Sequence, residues 1–317
     1  MPNPVANARS LVQVSTPADK APRVYLEHLD QLWFQLTGTL CNLTCTHCFI
    51  SCSPDNRSFG FLHYDKVLAT LAESSRLGVK EYYFTGGEPF MHPRVLDILE
   101  ATLRIGPATV LTNGTLFREK TVQRLREMRE GSIYSLELRV SIDGADAASN
   151  DRIRGQGSFA RAMEGVKRLV DGGFLPIITM AQTWDDADAP AVYQRMRQAL
   201  LDLGYTRPRV KLLPSLKIGA EALRDRGYRD DERVTPEMMH DYDASQLICA
   251  YSRIVTDRGV HVCPILIEQA DSVLDQSVEA AMKKDYAIRH QACYTCWLHG
   301  AICSNASSVP QAKETAT

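Results

Sequence analysis

The chain has 317 residues, of which 44% are hydrophobic and 23% charged, a composition typical of globular proteins that allows one large domain or two. A formal net charge of −2, without a dense Lys/Arg block, gives no positive field for polyanions and argues against nucleic acid as a partner. No run approaches the ~20 apolar residues of a membrane span, and the N-terminus lacks a secretory pattern, so we expect a cytoplasmic protein without a membrane partner.

Strands and helices alternate along most of the chain, after an N-terminal extension at residues 1–30 that is rich in Pro, Ala and Ser. The predicted elements, in order, are strand 32–37, helix 64–77, strand 81–85, helix 94–103, strand 108–111, helix 119–130, strand 136–141, helix 158–170, strand 175–180, helix 191–203 and strand 210–213. Such alternation predicts parallel βαβ units, and six strands suit an incomplete barrel better than a closed eight-stranded one. We therefore predict an α/β protein with a partial (β/α)6 TIM-like barrel at residues 31–215.

The alternation weakens after Pro214, which places a boundary near residues 215–240. We assign residues 216–303 to a small second domain and residues 304–317 to a flexible tail. The nine cysteines follow this division, with four at 41–52 and five at 249–303. Because the cytosol keeps thiols reduced, such grouping indicates two metal sites rather than disulfides.

The first cysteine group contains a C-x3-C-x2-C run formed by Cys41, Cys45 and Cys48. Iron–sulfur clusters are usually held by four cysteines, so three close thiolates indicate a cubane cluster whose fourth iron is open to another ligand. Structural zinc is the alternative, with His47 completing a tetrahedral set. The C-x2-C spacing in the second group is also an ordinary zinc spacing.

Polar or glycine-rich residues follow the next three strands. They are Gly86-Gly87-Glu88-Pro89, Thr112-Asn113-Gly114 and Ser141 with Asp143-Gly144. Each alone would predict only a turn. Because the carboxyl ends of parallel strands meet on one rim, we expect these loops to join the cysteine loop in a single site.

The cysteine run, the Gly-Gly-Glu-Pro sequence and Ser141-x-Asp143 together resemble the radical S-adenosylmethionine (SAM) superfamily. The resemblance implies a 4Fe–4S cluster on Cys41, Cys45 and Cys48, with SAM on the open iron. It also implies reductive cleavage of SAM to a 5′-deoxyadenosyl radical that abstracts hydrogen from an unactivated carbon. The electron donor would be a reduced flavodoxin or ferredoxin.

The resemblance assigns a role to each residue of the SAM site. Phe49 would lie against the adenine, and Gly86 and Gly87 would let backbone approach the methionyl amino group. Glu88 would accept hydrogen bonds from that ammonium, and Arg154 would pair with the SAM carboxylate. The ribose ligands would be Ser141 and Asp143.

The C-terminal cysteines resemble the auxiliary-cluster extensions called SPASM or twitch domains. We expect an auxiliary 4Fe–4S cluster on Cys249, Cys263, Cys293 and Cys296, with Cys303 as a replacement or extra ligand. Such a cluster would take the second electron in a two-electron oxidation of the substrate.

The sequence identifies no catalytic residue beyond the cofactor ligands, and leaves Cys303, Cys52 and Tyr251 as candidates. Arg253, which lies between two cluster cysteines, could face the substrate. Two residues at the end of the fifth strand, Met180 and Gln182, are expected to line the cavity.

We expect oxidation or epimerisation of a small metabolite, because only about thirty residues precede the first strand and peptide-modifying relatives often carry a recognition domain there. A maturase of ribosomally synthesised peptides with the same chemistry is the alternative. A non-catalytic metal-binding or electron-transfer scaffold is the third hypothesis.

Overall fold

A computed structural model describes residues 16–300. Its strands are β1 (Arg23–Val24), β2 (Gln31–Gln35), β3 (Glu81–Thr85), β4 (Ala108–Thr112), β5 (Leu136–Ser141), β6 (Ile177–Ala181), β7 (Arg209–Leu213), β8 (Ser252–Thr256), β9 (Gly259–His261), β10 (Val273–Asp275) and β11 (Tyr286–Ala287). Its helices are α1 (Tyr64–Arg76), α2 (Val95–Thr102), α3 (Glu119–Glu130), α4 (Ala147–Arg154), α5 (Ser158–Asp171), α6 (Ala189–Asp202), α7 (Ala220–Arg224), α8 (Val278–Met282) and α9 (Ala292–His299).

The main sheet has the strand order β10-β9-β8-β2-β3-β4-β5-β6-β7. Strands β2 to β7 are parallel and lie side by side in chain order, which is the arrangement that βαβ units produce. The predicted α/β class with a partial six-stranded parallel barrel is confirmed. The predicted element bounds agree with the observed ones to within about two residues. No helix between residues 16 and 300 is long and apolar enough to cross a membrane.

Side chains alternate between the two faces of the sheet because successive residues of a strand point to opposite sides. On β2, Leu32 and Phe34 pack in the core that the helices cover. Trp33 points the other way, into the barrel, and stacks on Tyr83 of β3 with ring centroids 4.3 Å apart. The inner face therefore remains available for a site at the carboxyl end of the strands.

Helix α4 is absent from the predicted elements. Its sequence is mostly polar and shows no apolar period, so hydrophobic patterning could not detect it. Asp146 caps its N-terminus, where the side chain accepts a hydrogen bond from Ser149 N at 2.8 Å, and Gly155, whose φ is +98°, follows its C-terminus. Its last residue is Arg154, which is thereby fixed beside the cysteine loop.

The C-terminal segment continues the barrel sheet. Strand β8 pairs in parallel with β2, and β9 and β10 extend that edge in antiparallel fashion. The small sheet of β1 and β11 ties the N-terminal extension to the same segment. Residues 216–300 and the barrel thus share one sheet across the predicted boundary. Cys303 and the tail at 304–317 lie outside the described residues.

Candidate functional site

The cysteine loop follows β2 and is held at four points by backbone hydrogen bonds. Leu40 O accepts from Glu88 N at 3.2 Å, and Cys41 N donates to Ser53 O at 3.1 Å. Thr46 N donates to Ile153 O of α4 at 2.8 Å. At the other end, Cys48 O accepts from Ala220 N of α7 at 3.0 Å, so segments far apart in sequence fix the loop.

The three thiols of the run line one cavity of about 250 Å³ at the carboxyl ends of the strands. Gly86, Gly87, Phe49, Ser141 and Arg154 also line it, so most of the predicted SAM ligands share this cavity with the thiols. Further lining residues are Trp33, Gln35, His47, Cys52, Thr112, Asn113, Arg139, Thr179, Ala181, Leu213, Ser215 and Pro264, among others. Among the described residues, no Asp or Glu lines this cavity, whereas Arg139 and Arg154 do. Its charged lining therefore favours an anionic group.

The three thiols differ in acidity. Burial raises the pKa of Cys41 and of Cys45 to about 12. Hydrogen bonding from Cys52 lowers the pKa of Cys48 to about 6, and the Cys52 backbone N–H donates to Cys48 Sγ at 3.3 Å. Because metal ligands must be thiolates, binding a cluster here would release protons.

Gly86 and Gly87 pack too closely against the segment that follows β2 to carry side chains. A Cβ on Gly87 would lie 1.9 Å from Leu40 O and 2.7 Å from Cys41 N. A Cβ on Gly86, whose φ is +149°, would lie 2.4 Å from Thr37 Oγ1. The sequence predicts that the absence of side chains at Gly86 and Gly87 lets the backbone approach a ligand. The structure shows that it also lets the backbone of Gly87 pack against Leu40 and Cys41 of the cysteine loop.

Glu88, the predicted ammonium ligand, makes several contacts inside the protein. Its side chain is fully buried and does not line the cavity. Its Oε1 accepts from Phe90 N at 3.0 Å and from Thr112 Oγ1 at 2.8 Å, and its Oε2 accepts from Asn113 N at 2.7 Å. Burial raises the pKa of Glu88 despite these donors. The carboxylate therefore joins the loops after β3 and β4.

Asp143, the predicted ribose ligand, is buried between His47 and Arg154 and does not line the cavity. Its Oδ2 lies 2.7 Å from His47 Nε2 and 2.5 Å from Arg154 Nε. Burial acts to raise the pKa of Asp143, but Arg154 and His47 outweigh it and hold that pKa well below the ordinary value. His47, considered above only as a zinc ligand, thus lines the cavity and pairs with Asp143, a role that motif reasoning missed.

Other predicted residues also receive definite places. Ser141 Oγ lies 3.3 Å from Thr179 Oγ1 on the inner face of the sheet. Met180 was expected to line the cavity, but it is fully buried in the outer core, and its neighbours Thr179 and Ala181 line the cavity instead. The expectation for Met180 is wrong by one residue along β6. Because neighbouring side chains of a strand point to opposite faces of the sheet, that shift places Met180 on the face away from the cavity. Gln182 is absent from the lining.

The second cysteine group forms a separate site. Cys249, Cys263, Cys293 and Cys296 line one small cavity of about 20 Å³, whose other lining residues are apolar apart from Tyr286. Pro264 lines the large cavity while Cys263 lines the small one, so the two sites adjoin.

Neither site shows ordinary zinc or disulfide geometry in the described part of the chain. No disulfide joins the eight cysteines described, and no three His, Cys, Asp or Glu side chains form a group that could hold a single metal ion. Of the catalytic candidates, Cys52 lines the large cavity, Tyr251 does not, and Cys303 is outside the described residues.

Comparison with known proteins gives related sequences. The Radical SAM superfamily model matches residues 36–194, half of the chain. The antilisterial bacteriocin subtilosin biosynthesis protein AlbA of Bacillus subtilis is 31% identical over 177 residues, which are 54% of this chain and 36% of AlbA. The mycofactocin maturase MftC of Mycobacterium ulcerans is 31% identical over 135 residues, 42% of this chain and 35% of MftC. The matched stretch thus spans little more than a third of these relatives.

Two solved structures share the fold. SuiB of Streptococcus suis superposes with a TM-score of 0.62 at 14% identity, covering 82% of this chain and 67% of SuiB. Native anSMEcpe with bound AdoMet superposes with a TM-score of 0.59 at 14% identity, covering 80% of each chain.

Proposed function

Because the chain belongs to the radical SAM superfamily, we propose that it is an enzyme that cleaves SAM reductively and abstracts hydrogen from an unactivated carbon of its substrate. The observation that carries the proposal is the cavity shared by Cys41, Cys45 and Cys48 with Gly86, Gly87 and Arg154. When bound, the reduced cluster supplies the electron that splits SAM into methionine and the 5′-deoxyadenosyl radical.

The chain's own residues would hold the cofactors in the following way. Cys41, Cys45 and Cys48 would bind a 4Fe–4S cluster. Arg154 would bind the SAM carboxylate, since its guanidinium lines the cavity while Asp143 holds it from behind. The remaining contacts would come from Phe49, Ser141 and the backbone of Gly86 and Gly87.

The supporting residues have a separate role. Asp143 and Glu88 would position the wall of the site from inside the protein rather than touch SAM. We base this division on their burial and on the contacts that their carboxylate oxygens make, those of Glu88 with Phe90, Thr112 and Asn113 and those of Asp143 with His47 and Arg154.

The C-terminal cavity would hold an auxiliary 4Fe–4S cluster on Cys249, Cys263, Cys293 and Cys296. Four thiols around one apolar cavity match the usual donor set of such a cluster. Because this cavity adjoins the SAM cavity, the cluster would be close enough to accept an electron from the substrate. Residues 216–303 would then form a SPASM- or twitch-type extension, and the overall reaction would be a two-electron oxidation of the substrate. A reduced flavodoxin or ferredoxin of the reducing cytoplasm would supply the electron for SAM cleavage.

A peptide is the substrate class that the relatives favour. AlbA is a bacteriocin biosynthesis protein, MftC is a maturase, and SuiB has been crystallised with its precursor peptide SuiA. A small metabolite is the second candidate, because the GTP 3′,8-cyclase of Yersinia pestis is 30% identical over 173 residues.

Formation of 5′-deoxyadenosine tests the proposed chemistry. Anaerobically reconstituted protein, reduced with dithionite in the presence of SAM, should produce it, and the Cys41/Cys45/Cys48→Ala variant should not. The Cys52→Ala variant is the matched control, because this fourth cavity-lining thiol lies outside the run and its loss should leave the product detectable. Equal product from wild type and the triple variant would exclude the proposed function.

The substrate class requires a second comparison. Peptide-retaining and small-molecule fractions of a cell extract would be added separately, and the rate of 5′-deoxyadenosine formation measured. Stimulation by the peptide fraction, abolished by protease treatment, is the expected result. Stimulation by the small-molecule fraction alone would instead favour the metabolite.

A further inference from the structure

Arg253 is a fully buried cation on β8, with 1% of its surface exposed. Within residues 16–300, its guanidinium donates only to backbone carbonyls, namely Cys249 O at 2.8 Å, Ser252 O at 2.8 Å, Lys284 O at 3.1 Å and Ala281 O at 3.5 Å. No carboxylate among the described residues forms an ion pair with it. Its side chain points away from the SAM cavity, contrary to the expectation that it could face the substrate.

The other buried arginines of this sheet region have carboxylate partners. Arg139 Nε lies 3.1 Å from Glu137 Oε1, and Arg154 Nε lies 2.5 Å from Asp143 Oδ2. Burying a charge without an opposite charge destabilises the folded state. An arginine cannot relieve this by losing its proton, because its guanidinium stays protonated in proteins. Carbonyl dipoles satisfy the donors of Arg253 but do not neutralise it, so the fold leaves a positive charge to be balanced.

The four-cysteine cavity lies next to this charge. Arg253 holds the backbone of Cys249 directly, since its Nη1 donates to Cys249 O at 2.8 Å, and Cys249 is one of the four thiols that line the cavity. A cubane bound by four thiolates is an anion, and it gains a further negative charge on reduction. Such a cluster would supply the charge that no side chain supplies.

We propose that Arg253 is the buried countercharge of the auxiliary cluster, and that it raises the reduction potential of that cluster. The inference rests on the proposed C-terminal 4Fe–4S site. Arg253 would be a positioning residue, since it contacts the backbone of a ligand and acts on the cluster through its charge. A higher potential makes the cluster a better acceptor for an electron from a substrate radical.

The reduction potential of the auxiliary cluster tests this role. The measurement would use full-length protein carrying Cys41/Cys45/Cys48→Ala, so that an EPR-monitored titration reports the C-terminal cluster alone. Arg253→Met should shift the potential to a more negative value, and Arg253→Lys, which keeps the charge, should shift it less. Arg124→Met on α3 is the control, because it removes an arginine that has its own carboxylate partner, Glu100, and lines neither cavity, so it should leave the potential unchanged.

A stability measurement covers the case in which Arg253→Met folds poorly. Urea midpoints would be compared for cluster-free and cluster-loaded forms of wild type, Arg253→Met and Arg253→Lys. Loading should raise the midpoint least in Arg253→Met, because the charge that the cluster neutralises is absent. Equal potentials and equal loading shifts in all three proteins would overturn the role of Arg253. Absence of iron from the C-terminal site would instead show that the auxiliary cluster itself, and the inference with it, is wrong.

Discussion

At the scale of single residues, the site depends on buried groups that hold its loops together through hydrogen bonds and ion pairs. Asp143 illustrates this, since its carboxylate lies between His47 of the cysteine loop and Arg154 of α4. The residues that line the cavity are thereby oriented by a side chain that does not reach it. The motif predicts Asp143 as a ribose ligand, and the structure adds its two contacts within the chain.

Replacing Asp143 should be strongly destabilising. Asp143→Asn keeps the shape of the side chain but leaves Arg154 buried without an opposite charge, which we expect to cost about 3–5 kcal/mol of unfolding free energy. Urea denaturation of the cluster-free protein measures this. Asp97→Asn, which breaks an ion pair with Arg94 on the surface, is the control and should change little. A loss for Asp143→Asn no larger than that of the control would contradict the bridging role.

Gly87 should tolerate no side chain. In Gly87→Ala the new Cβ would collide with Leu40 O and Cys41 N, both backbone atoms of the cysteine loop. We expect a loss of about 1–3 kcal/mol of unfolding free energy, together with reduced iron incorporation because the loop is displaced. Gly227→Ala, where the nearest atom is 4.0 Å away, provides the control and should be close to neutral. Normal iron content in Gly87→Ala would show that the loop can adjust.

His92 should make folding stability depend on pH. Its ring is buried, Nε2 contacts Leu62 O at 3.0 Å, and Nδ1 accepts from Arg94 N at 3.2 Å. Burial lowers the pKa of His92 below the ordinary 6.5. The unfolded chain therefore binds the proton first, and stability should fall as the pH drops from about 6.5 towards the lower folded-state pKa.

The pH dependence can be isolated by substitution. Urea midpoints between pH 5 and 8 should decline less steeply on the acid side in His92→Gln than in wild type. His240→Gln, at an exposed position, should retain the wild-type profile. Identical profiles for wild type and His92→Gln would mean that another group titrates.

At the scale of elements, β8 joins the C-terminal segment to the main sheet. It lies beside β2, so β2 is an interior strand with β3 on its other side. The apolar run of β8 places Ile254 and Val255 in the two opposite cores. Residues 216–300 are thus built into the barrel sheet, and the sequence boundary near 215–240 is not an edge of the sheet.

Hydrogen exchange should report this integration. We expect amides of β2 and β8 to exchange only with global unfolding, because both strands are hydrogen-bonded within the same cooperative sheet. Strand β7 ends the sheet and serves as the internal comparison, with faster exchange expected on its outer edge. Early exchange of β8 while β2 stays protected would indicate that the C-terminal segment unfolds as a separate domain.

At the scale of the whole molecule, two cysteine groups separated by about two hundred residues enclose adjoining cavities. Both groups belong to one hydrophobic cluster that also contains Trp33 and Tyr83. An electron could thus move between the sites without crossing solvent. The proposed oxidation requires this proximity.

Iron content should reveal both sites. Anaerobically reconstituted wild type should contain about eight irons per chain and the Cys41/Cys45/Cys48→Ala variant about four, since each cubane carries four. Iron and acid-labile sulfide assays on the two proteins provide the numbers, with Cys52→Ala expected to retain the wild-type content. If wild type instead contained about four irons and the Cys41/Cys45/Cys48→Ala variant none, only the barrel cluster would be supported. The C-terminal cysteines would then be assigned to another metal.

Much of the barrel and its site could be predicted from the sequence, because the signals are local. Alternating apolar residues define β2 to β7, and the positions of Cys41, Gly86 and Ser141 after three of these strands place them on one rim. In parallel strands joined by helices, all the loops that follow the strands lie at the same end of the sheet. The sequence alone therefore determined the α/β class, the location of the site and the three-thiol motif.

Only the tertiary structure decided which polar groups face the cavity and which support it from behind. The burial of Glu88 and Asp143, the pairing of β8 with β2 and the carbonyl shell of Arg253 depend on residues distant along the chain. The cost of burying a charge is set by what surrounds it in space, and spacing along a sequence carries no record of those surroundings.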